Sequence, residues 1–431
     1  MGLFISLFLL SLFLLSKVFF LLLEKTYALS LVGIGESLFL SIFFFVGLYY
    51  AFKEFTKKKS RGHFQKPNKA GVAFLSLSLL VILASFYLNL TKVSLDWDAI
   101  ALYDARSKFL ENGMKFSQMT ELGKYDNFNK YYYLLYPPFT SIIHFFWSGF
   151  SPLSAFPVGA FYSLCLLLLS LAIFSLTKKK LGFTIAAILT FAVSSNSSML
   201  NVAVKEYTNL PFDLYLVLGI FLLFFFLEEG GDWRLLFGGL LISASIWVRY
   251  LEPIWIAVLL AYGMTLLINK EFGKKYITLL IISAICLIEY LAWAYFTKSV
   301  ASNPGFLSMS WISYASPVVG LFTGAPFIVA ITIAKAWGIP FLIHGAALLS
   351  QVFRWRDVVK DKGLLFLNLI VLSSLLIYFA QFYMLSFQQE WWSIVALSLD
   401  RSSTFLIPIS GYILLYTVIK SKLLNTKINR T

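Results

Sequence analysis

The apolar positions of this chain fall into long runs that polar residues rarely interrupt. A helix that crosses a bilayer needs about 20 consecutive, mostly apolar residues. The pattern therefore predicts an all-α polytopic membrane protein of about 12 transmembrane helices. We place these helices at residues 3–23, 28–52, 71–90, 155–177, 181–198, 210–228, 235–250, 252–268, 277–296, 331–352, 363–386 and 403–420.

The composition agrees with this class. Of the 431 residues, 59% are hydrophobic and 13% are charged, whereas soluble domains carry about 25% charged residues. A soluble single-core protein and a disordered chain are therefore excluded. A disulfide scaffold is excluded as well, because the only two cysteines, Cys165 and Cys286, lie in apolar runs.

The basic residues predict an orientation. With the N-terminus in the cytoplasm and alternating spans, 22 of the 35 Lys and Arg residues fall in cytoplasmic loops, together with seven acids. The outer loops then hold 11 bases and 11 acids. Cytoplasmic loops of membrane proteins carry such an excess of Lys and Arg. We therefore expect an integral protein of the plasma membrane with both termini in the cytoplasm, and no nucleic-acid partner for the net charge of +14.

Loop lengths divide the chain into two parts. Residues 1–70 form a predicted two-span hairpin followed by a basic cytoplasmic loop, and residues 71–431 form a second transmembrane module. This second module contains two long outer loops, 91–154 and 297–330. Long loops that connect compact elements are usually functional, so we expect the site there.

Both long loops contain predicted structure of their own. Residues 98–112 read as an amphipathic helix that ends at Gly113, with Ser107 on its polar face. Residues 139–150 are apolar but too few to cross, so they predict a second juxtamembrane helix. Residues 311–330 are broken by Pro and Gly and predict a re-entrant or interfacial segment.

Charged residues gather at the outer ends of several predicted spans. Asp96 and Asp98 follow the third span, Lys205 and Glu206 precede the sixth, Arg249 ends the seventh and Arg401 opens the last. Charges at this depth are costly and are usually functional. Arg and Lys suit phosphate oxygens, and a carboxylate can accept the proton of an attacking hydroxyl. The set favours a reaction on a lipid-linked phosphate.

Structural roles remain open for the same residues. Asp98 is equally suited to cap the helix that follows it. Arg401 could instead anchor the last helix by reaching towards the interface, and Arg249 could pair with Glu252. His144 is expected to be an interfacial histidine.

A few charges lie within predicted spans. We expect Lys17 to reach out towards the interface. Glu36, Glu289 and Lys335 are expected to form hydrogen bonds between helices.

Five motifs follow one another in a familiar order. They are WDAIALYDARSKFLENG (97–113), YPPFTSIIH (136–144), KEYTNLPFD (205–213), WVRYLEP (247–253) and DRSSTFLIP (400–408). The chain from about 90 to 420 resembles the GT-C glycosyltransferases of the protein-mannosyltransferase, aminoarabinose-transferase and Rgt-like group. The signature of this group is an acid in the first outer loop, an Ala-Arg on a juxtamembrane helix and a later Pro-Pro step. It is matched by Asp98, Ala105-Arg106 and Pro137-Pro138.

The resemblance implies a fold and an activity. Residues 71–431 would be a GT-C-like catalytic bundle that transfers a sugar from a polyprenyl-phosphate donor to a hydroxyl or amine at the non-cytoplasmic face, with inversion. The acceptor would be a glycan, a lipid or a protein. Asp98 would be the general base and Glu206 would assist. Arg401, Arg249 and Lys205 would hold the donor phosphate. The supporting residues of the first loop would be Asp96, Arg106, Tyr136, Pro137 and Pro138.

The chain departs from the pattern at two positions. Asp98 is followed by Ala99, where many relatives have a second acid, and Asn209 stands where an acid often precedes the Leu-Pro step. The divalent metal used by some relatives is therefore left open, and no ligand spacing predicts a metal site. The alternative function is a transporter or flippase of a lipid-linked sugar. The absence of a convincing internal repeat and the position of the charges favour the enzyme.

Overall fold

The fold was analysed in a computed structural model of the protein. It describes residues 1–57, 67–91, 99–119, 136–149, 156–250, 253–271, 273–300, 315–352, 354–387 and 392–428. All regular secondary structure in these ranges is helical. In the first part of the chain the α-helices are α1 (Gly2–Leu23), α2 (Lys25–Ala28), α3 (Leu31–Lys57), α4 (Lys69–Thr91), α5 (Ala105–Glu111), α6 (Phe139–Gly149), α7 (Gly159–Leu181), α8 (Phe183–Ser194), α9 (Ser197–Val204) and α10 (Asn209–Glu229).

The second part of the chain continues in the same way. Its α-helices are α11 (Asp232–Val248), α12 (Ile254–Ile268), α13 (Gly273–Val300), α14 (Ala315–Gly320), α15 (Ala325–Trp337), α16 (Ile339–Val352), α17 (Trp355–Lys360), α18 (Lys362–Ser386), α19 (Trp392–Ala396), α20 (Leu399–Ser402) and α21 (Leu406–Ile428). A short π-helix, Ala99–Asp104, precedes α5.

Long apolar helices make the chain an all-α membrane protein. Among the described residues, α1, α3, α4, α7, α10, α13 and α18 are long and apolar enough to cross a bilayer, which makes seven. Three bent pairs raise the number to 10 if each is one span: α8 with α9, α15 with α16, and Trp392–Ser402, which includes α19 and α20, with α21. Helices are expected here because a helix satisfies every backbone group internally, which the water-free bilayer interior requires.

The predicted count of 12 spans is not confirmed. Two predicted spans, 235–250 and 252–268, correspond to α11 and α12, which have 17 and 15 residues. At 1.5 Å per residue these helices are only about 26 and 22 Å long, shorter than a hydrocarbon core of about 30 Å. The predicted span 331–352 is not straight, because α15 and α16 meet at an angle of 111° around Gly338.

The juxtamembrane helices of the first long loop are present. The predicted helix 98–112 forms over its described residues as the π-helix and α5, and Gly113 adopts the left-handed φ of +77° that favours glycine after a helix. The second predicted helix is α6. The expected polar face was wrong for Ser107, which is buried because α5 packs on α6 and presents Ser107 to the interior.

Ion pairs between the ends of α7 and α10 identify one end of the bundle. At one end, which we call the basic end, Lys179 pairs with Glu229 at 2.5 Å and Lys180 with Glu228 at 3.1 Å. Glu228 also accepts a hydrogen bond from the backbone N–H of Gly363 at 2.9 Å. The charge pattern assigned these four charged residues to the same side.

The first helix packs against several later ones. Helix α1 lies against α6, α7 and α11, and the Tyr215 hydroxyl of α10 donates to the carbonyl of Leu9 over 2.8 Å. Helix α3 packs on α11 and α13. The buried side chains of α1 belong to the same apolar core as those of α10, which is buried along almost its whole length.

Candidate functional site

Two of the predicted phosphate-binding residues lie at one junction, at the end of the bundle opposite the basic end. Arg249 follows α11, and its Nη2 donates to Ser402 Oγ at 3.3 Å. Arg401 is the neighbour of Ser402 on α20, and its guanidinium lies 4.2 Å from the centre of the Tyr207 ring. Arg249 is 8% exposed. Residues that are far apart in sequence thus bring Arg249 into contact with the immediate neighbour of Arg401.

Two side chains near this junction form hydrogen bonds with the backbone of α20. Asn209, the first residue of α10, donates from Nδ2 to the carbonyl of Arg401 at 2.9 Å. The Tyr378 hydroxyl donates to the carbonyl of Ser402 at 2.6 Å. Asn209 therefore holds α20 against the start of α10.

Lys205 belongs to the same region. Its charge and that of Arg401 both act on the carboxyl of Asp400. Lys205 ends α9, and the following turn leads into α10. The three bases expected to bind phosphate are therefore brought to the same end of the bundle by α9, α11 and α20.

Glu206 has an unusual backbone conformation. Its φ is +57°, in the left-handed region that few residues other than glycine adopt. Its side chain is 6% exposed, and a Cβ added at Gly159 would lie 2.8 Å from Glu206 Oε1. The absence of a side chain at Gly159 therefore makes room for this carboxylate. Backbone strain of this kind is concentrated at functional sites.

A carboxylate, an imidazole and a phenol form a chain beside Glu206. Asp104 Oδ1 lies 2.6 Å from His144 Nδ1, and the other ring nitrogen, Nε2, lies 2.8 Å from the Tyr162 hydroxyl. The charge of Glu206 acts on the same Tyr162 hydroxyl. His144 is thus more than an interfacial histidine, because both of its ring nitrogens are engaged by titratable groups.

Arg106 is completely buried. Its Nη1 donates to the carbonyl of Tyr136 at 3.0 Å, and its guanidinium lies 4.9 Å from the centre of the Phe116 ring. Within the described part of the chain, its Nε and Nη2 have no hydrogen-bond partner. Burial lowers the pKa of this guanidinium to about 9. Arg106 therefore ties α5 to the backbone at Tyr136.

The Tyr-Pro-Pro step joins this loop to the bases. The Tyr136 ring lies 6.1 Å from that of Tyr103 and 6.0 Å from the Arg249 guanidinium, measured between centres. Pro137 and Pro138 are buried, and the Pro138 carbonyl accepts the first hydrogen bond of α6, from the backbone N–H of Ile142 at 2.9 Å. The step therefore starts α6 and places Tyr136 between Arg106 and Arg249.

Three residues of the sequence-based site lie outside the described ranges. These are Asp98, expected to be the general base, its neighbour Asp96, and Glu252, the suggested partner of Arg249. The described site therefore comprises Lys205, Glu206, Arg249 and Arg401, together with the supporting residues Arg106, Tyr136, Pro137 and Pro138.

An apolar groove adjoins the polar residues. It has a volume of about 460 Å³ and lies between α1, α6, α7 and α10. Ile143 and Phe161, which precede His144 and Tyr162 in the sequence, both line it, and so does Pro211 near the start of α10. A groove of this kind can hold an aliphatic chain whose polar end lies among the charged residues.

The chemistry available to the site follows from these groups. Guanidinium and ammonium groups can bind phosphate oxygens and stabilise the charge of a leaving phosphate. Buried carboxylates can accept a proton. Among the described residues, no group of three or more His, Cys, Asp or Glu side chains is arranged to hold a metal ion.

Sequence reasoning missed Asp104 and Tyr162 as members of the site. The sequence placed Asp104 on the polar face of an amphipathic helix, but no sequence pattern indicated its contact with His144. Tyr162 lies in an apolar run and gave no signal.

No protein-family model, curated protein or solved structure matches the chain. The class of protein is therefore defined by its fold and its site. It is an all-helical membrane protein that carries a cluster of charged residues beside an apolar groove.

Proposed function

We propose that this protein is an inverting membrane glycosyltransferase. It moves a sugar from a polyprenyl-phosphate donor to a hydroxyl or amine of a glycan, lipid or protein acceptor. The residues from 71 onwards form a GT-C-like catalytic module in the plasma membrane. Both termini are cytoplasmic, and the site faces the other side.

The observation that carries the proposal is the contact between Arg249 and Ser402, which brings Arg249 beside Arg401. The ordered motifs of the sequence led us to expect two bases on one phosphate, and this contact joins the two motifs concerned. Lys205 acts on the adjacent Asp400 and adds a third positive charge. Three cations near one point favour a phosphate ligand.

The apolar groove supports a lipid-linked donor. It passes beside His144 and Tyr162, and apart from Ser16 and Tyr215 its lining is built almost entirely of aliphatic and aromatic side chains. The hydroxyl of Tyr215 is already bonded to the carbonyl of Leu9, so it does not compete for a ligand. A polyprenyl tail in this groove would place its phosphate near the bases.

The reaction needs one proton acceptor and one stabilised leaving group. The Asp98 carboxylate takes the proton of the acceptor hydroxyl while the acceptor oxygen bonds to the anomeric carbon. The bond from that carbon to the phosphate oxygen breaks, and its electron pair leaves with the polyprenyl phosphate, held by Arg249, Arg401 and Lys205. Glu206 helps to position the acceptor.

Donor binding and turnover test this assignment separately. The full-length protein in nanodiscs is mixed with polyprenyl-phosphate mannose or polyprenyl-phosphate aminoarabinose, with octyl glucoside as a surrogate acceptor. We expect Arg401→Met and Arg249→Met to weaken donor binding at least tenfold, and Asp98→Asn to keep binding while losing turnover. The control Arg356→Met, at an exposed residue of α17, should leave both unchanged. If the wild type binds neither donor, the proposal is wrong.

The second candidate is a transporter or flippase of a lipid-linked sugar. It is favoured by charges that lie inside the bundle, where Lys17 pairs with Glu36 and Glu289, because intramembrane charges mark transport pathways. Movement of unchanged donor across a liposome membrane, with no product formed, would identify this function instead.

A further inference from the structure

An ionic cluster lies inside the bundle, away from the site described above. Lys17 on α1 forms ion pairs with Glu36 on α3 and with Glu289 on α13, the latter at 2.5 Å. The exposed fractions of these three side chains are 8%, 3% and 0%. Lys17 therefore does not reach the interface as the sequence suggested, because two carboxylates hold its ammonium group inside.

The cluster lies well within the helices. Lys17 precedes the end of α1 by six residues, and Glu289 precedes the end of α13 by 11. At 1.5 Å per residue these positions are about 9 and 16 Å from the helix ends. Water outside the bundle therefore solvates these charges poorly.

The groups around the cluster can be named helix by helix. On α2 the hydroxyl of Tyr27 donates to Glu36 Oε2 at 2.6 Å, and on α13 the thiol of Cys286 lies one turn before Glu289. On α11 the Trp247 ring centre lies 3.6 Å from Lys17 Nζ, while its indole N–H donates to Ser16. Within the described part of the chain, Lys17 is the only cation that pairs with either carboxylate.

The two carboxylates have different surroundings. Glu36 accepts a hydrogen bond on each oxygen, one from Lys17 and one from Tyr27. Glu289 contacts Lys17 through Oε1, and apart from this contact neither of its oxygens accepts a hydrogen bond from a described residue. Hydrogen bonds to a carboxylate favour its ionised form. Glu36 is therefore the better satisfied of the two carboxylates.

With all three groups charged, the cluster would carry one uncompensated negative charge among buried side chains, which is strongly unfavourable. One proton removes that charge. We propose that Glu289 is a proton-binding site, which holds one proton at neutral pH and stabilises the packing of α1 and α3 on α13. This proposal does not rest on the glycosyltransferase assignment.

Protonation should then control how firmly the first two long helices are held. Helix α1 contacts α11 through Ser16 and Trp247, and Trp247 precedes Arg249 by two residues. Loss of the proton leaves a buried anion between α1, α3 and α13. The folded state holds a proton that an exposed Glu releases at neutral pH, so stability falls as the pH rises.

Infrared spectroscopy counts the protons directly. The full-length protein in nanodiscs is compared with three variants in the region of the C=O stretch of protonated carboxyl groups. We expect one signal from the buried acid in the wild type, and its loss in Glu289→Gln. In Glu36→Gln one carboxylate and one ammonium remain, so Glu289 ionises and the signal is again lost. In Lys17→Met both carboxyls are protonated, and the signal doubles.

Thermal unfolding as a function of pH provides the second measurement. In buffers free of sodium, the unfolding temperature of the wild type should fall between neutral and alkaline pH, whereas that of Glu289→Gln should fall less. If the wild type shows no infrared signal, and sodium but not choline restores its stability at alkaline pH, the site binds a metal cation and not a proton. If the wild type shows no infrared signal, and its unfolding temperature depends on pH in the same way as that of Glu289→Gln, the cluster is permanently ionised. Either result overturns the proposal.

Discussion

Arg249 donates a hydrogen bond to Ser402 although 153 residues separate them in the sequence. The contact joins the end of α11 to α20 and places Arg249 beside Arg401. In an isolated α11 or an isolated α20 this contact across the bundle could not form. The contact therefore assembles the base cluster from two distant motifs.

Removing this contact should reveal how much Arg249 depends on it. Arg249→Met should lower turnover by about 10²–10³-fold, the cost of losing one preorganised donor to a developing oxyanion. Ser402→Ala should lower it less, by about 10–10²-fold, because a hydrogen bond to a charged group contributes about 1.5–3 kcal/mol. Initial rates with a polyprenyl-phosphate sugar give both values.

The double variant and a control make this test specific. Since Ser402 acts through Arg249, Arg249→Met with Ser402→Ala should be no worse than Arg249→Met alone. Ser175→Ala removes a hydroxyl whose hydrogen bonds to described residues stay within α7, and it should have no effect. Additive losses in the double variant would show that Ser402 has a role independent of Arg249.

Gly159 should be essential for the position of Glu206. A methyl group at Gly159 would lie 2.8 Å from Glu206 Oε1, so Gly159→Ala displaces the carboxylate. We expect a loss of sugar transfer in the same direction as that of Glu206→Gln. Enzyme assays of both variants, with the folded fraction measured by size-exclusion chromatography, check this prediction.

Gly345→Ala is the matched control. Gly345 also lies in a helix, α16, but no atom of the described residues lies within 4 Å of the position that its Cβ would occupy. The substitution should stabilise the protein by about 0.4–1 kcal/mol, because alanine loses less backbone entropy on folding. Full activity of Gly159→Ala would remove Glu206 from the site.

The contacts of His144 predict that Tyr162→Phe lowers the stability of the wild type but raises that of His144→Ala. His144→Ala leaves the buried hydroxyl of Tyr162 without its hydrogen bond to the ring, at a cost of about 1–3 kcal/mol for an unsatisfied buried group. Tyr162→Phe alone should cost about 0.5–1.5 kcal/mol. Added to His144→Ala, however, it should raise the unfolding temperature, because no hydroxyl is then left unpaired. Scanning fluorimetry in detergent measures all four proteins.

The sign of the effect of Tyr162→Phe decides this prediction. Helix α7 also offers Ser170→Ala as a comparison in a buried position without a hydrogen-bond partner among the described residues. That change should not depend on His144. If Tyr162→Phe destabilises both backgrounds equally, the Tyr162 hydroxyl does not depend on His144.

The orientation of the chain can be tested with single cysteines. Thr56 on α3 lies at the basic end of the bundle, and Lys298 on α13 lies near the opposite end of the bundle. Both residues are exposed. In intact cells a membrane-impermeant maleimide should label Lys298→Cys and leave Thr56→Cys unlabelled until the membrane is opened. The native Cys165 and Cys286 are buried and should give little background. The reverse pattern would invert the proposed topology.

The sequence predicted much of the secondary structure but not the count of spans. Each of the 12 predicted segments corresponds to one or more helices, because apolar length is read directly from the residues. The angle of 111° between α15 and α16 and the short length of α11 and α12 were not predicted. Gly338 gave a local signal for the bend, but a single glycine in an apolar run does not specify an angle.

The candidate site shows the same division. Arg249, Arg401, Lys205 and Glu206 could be selected from sequence, because charges are rare in an apolar chain. Asp104 and Tyr162 could not, since their significance comes from His144, which touches both. Hydrogen bonds between residues on different helices depend on how the helices rotate and pack, and no local pattern encodes that.

The sequence by itself determined that this is a helical membrane protein, which residues could carry charge chemistry, and which loops bear the basic excess. These properties follow from the cost of placing polar groups in hydrocarbon, which acts on each residue separately. Only the tertiary structure decided that Arg249 meets Ser402, that Glu206 occupies the space left by Gly159, and that Lys17 is held inside by two carboxylates. These contacts depend on packing between helices, where position is fixed by shape and pairing over long sequence separations.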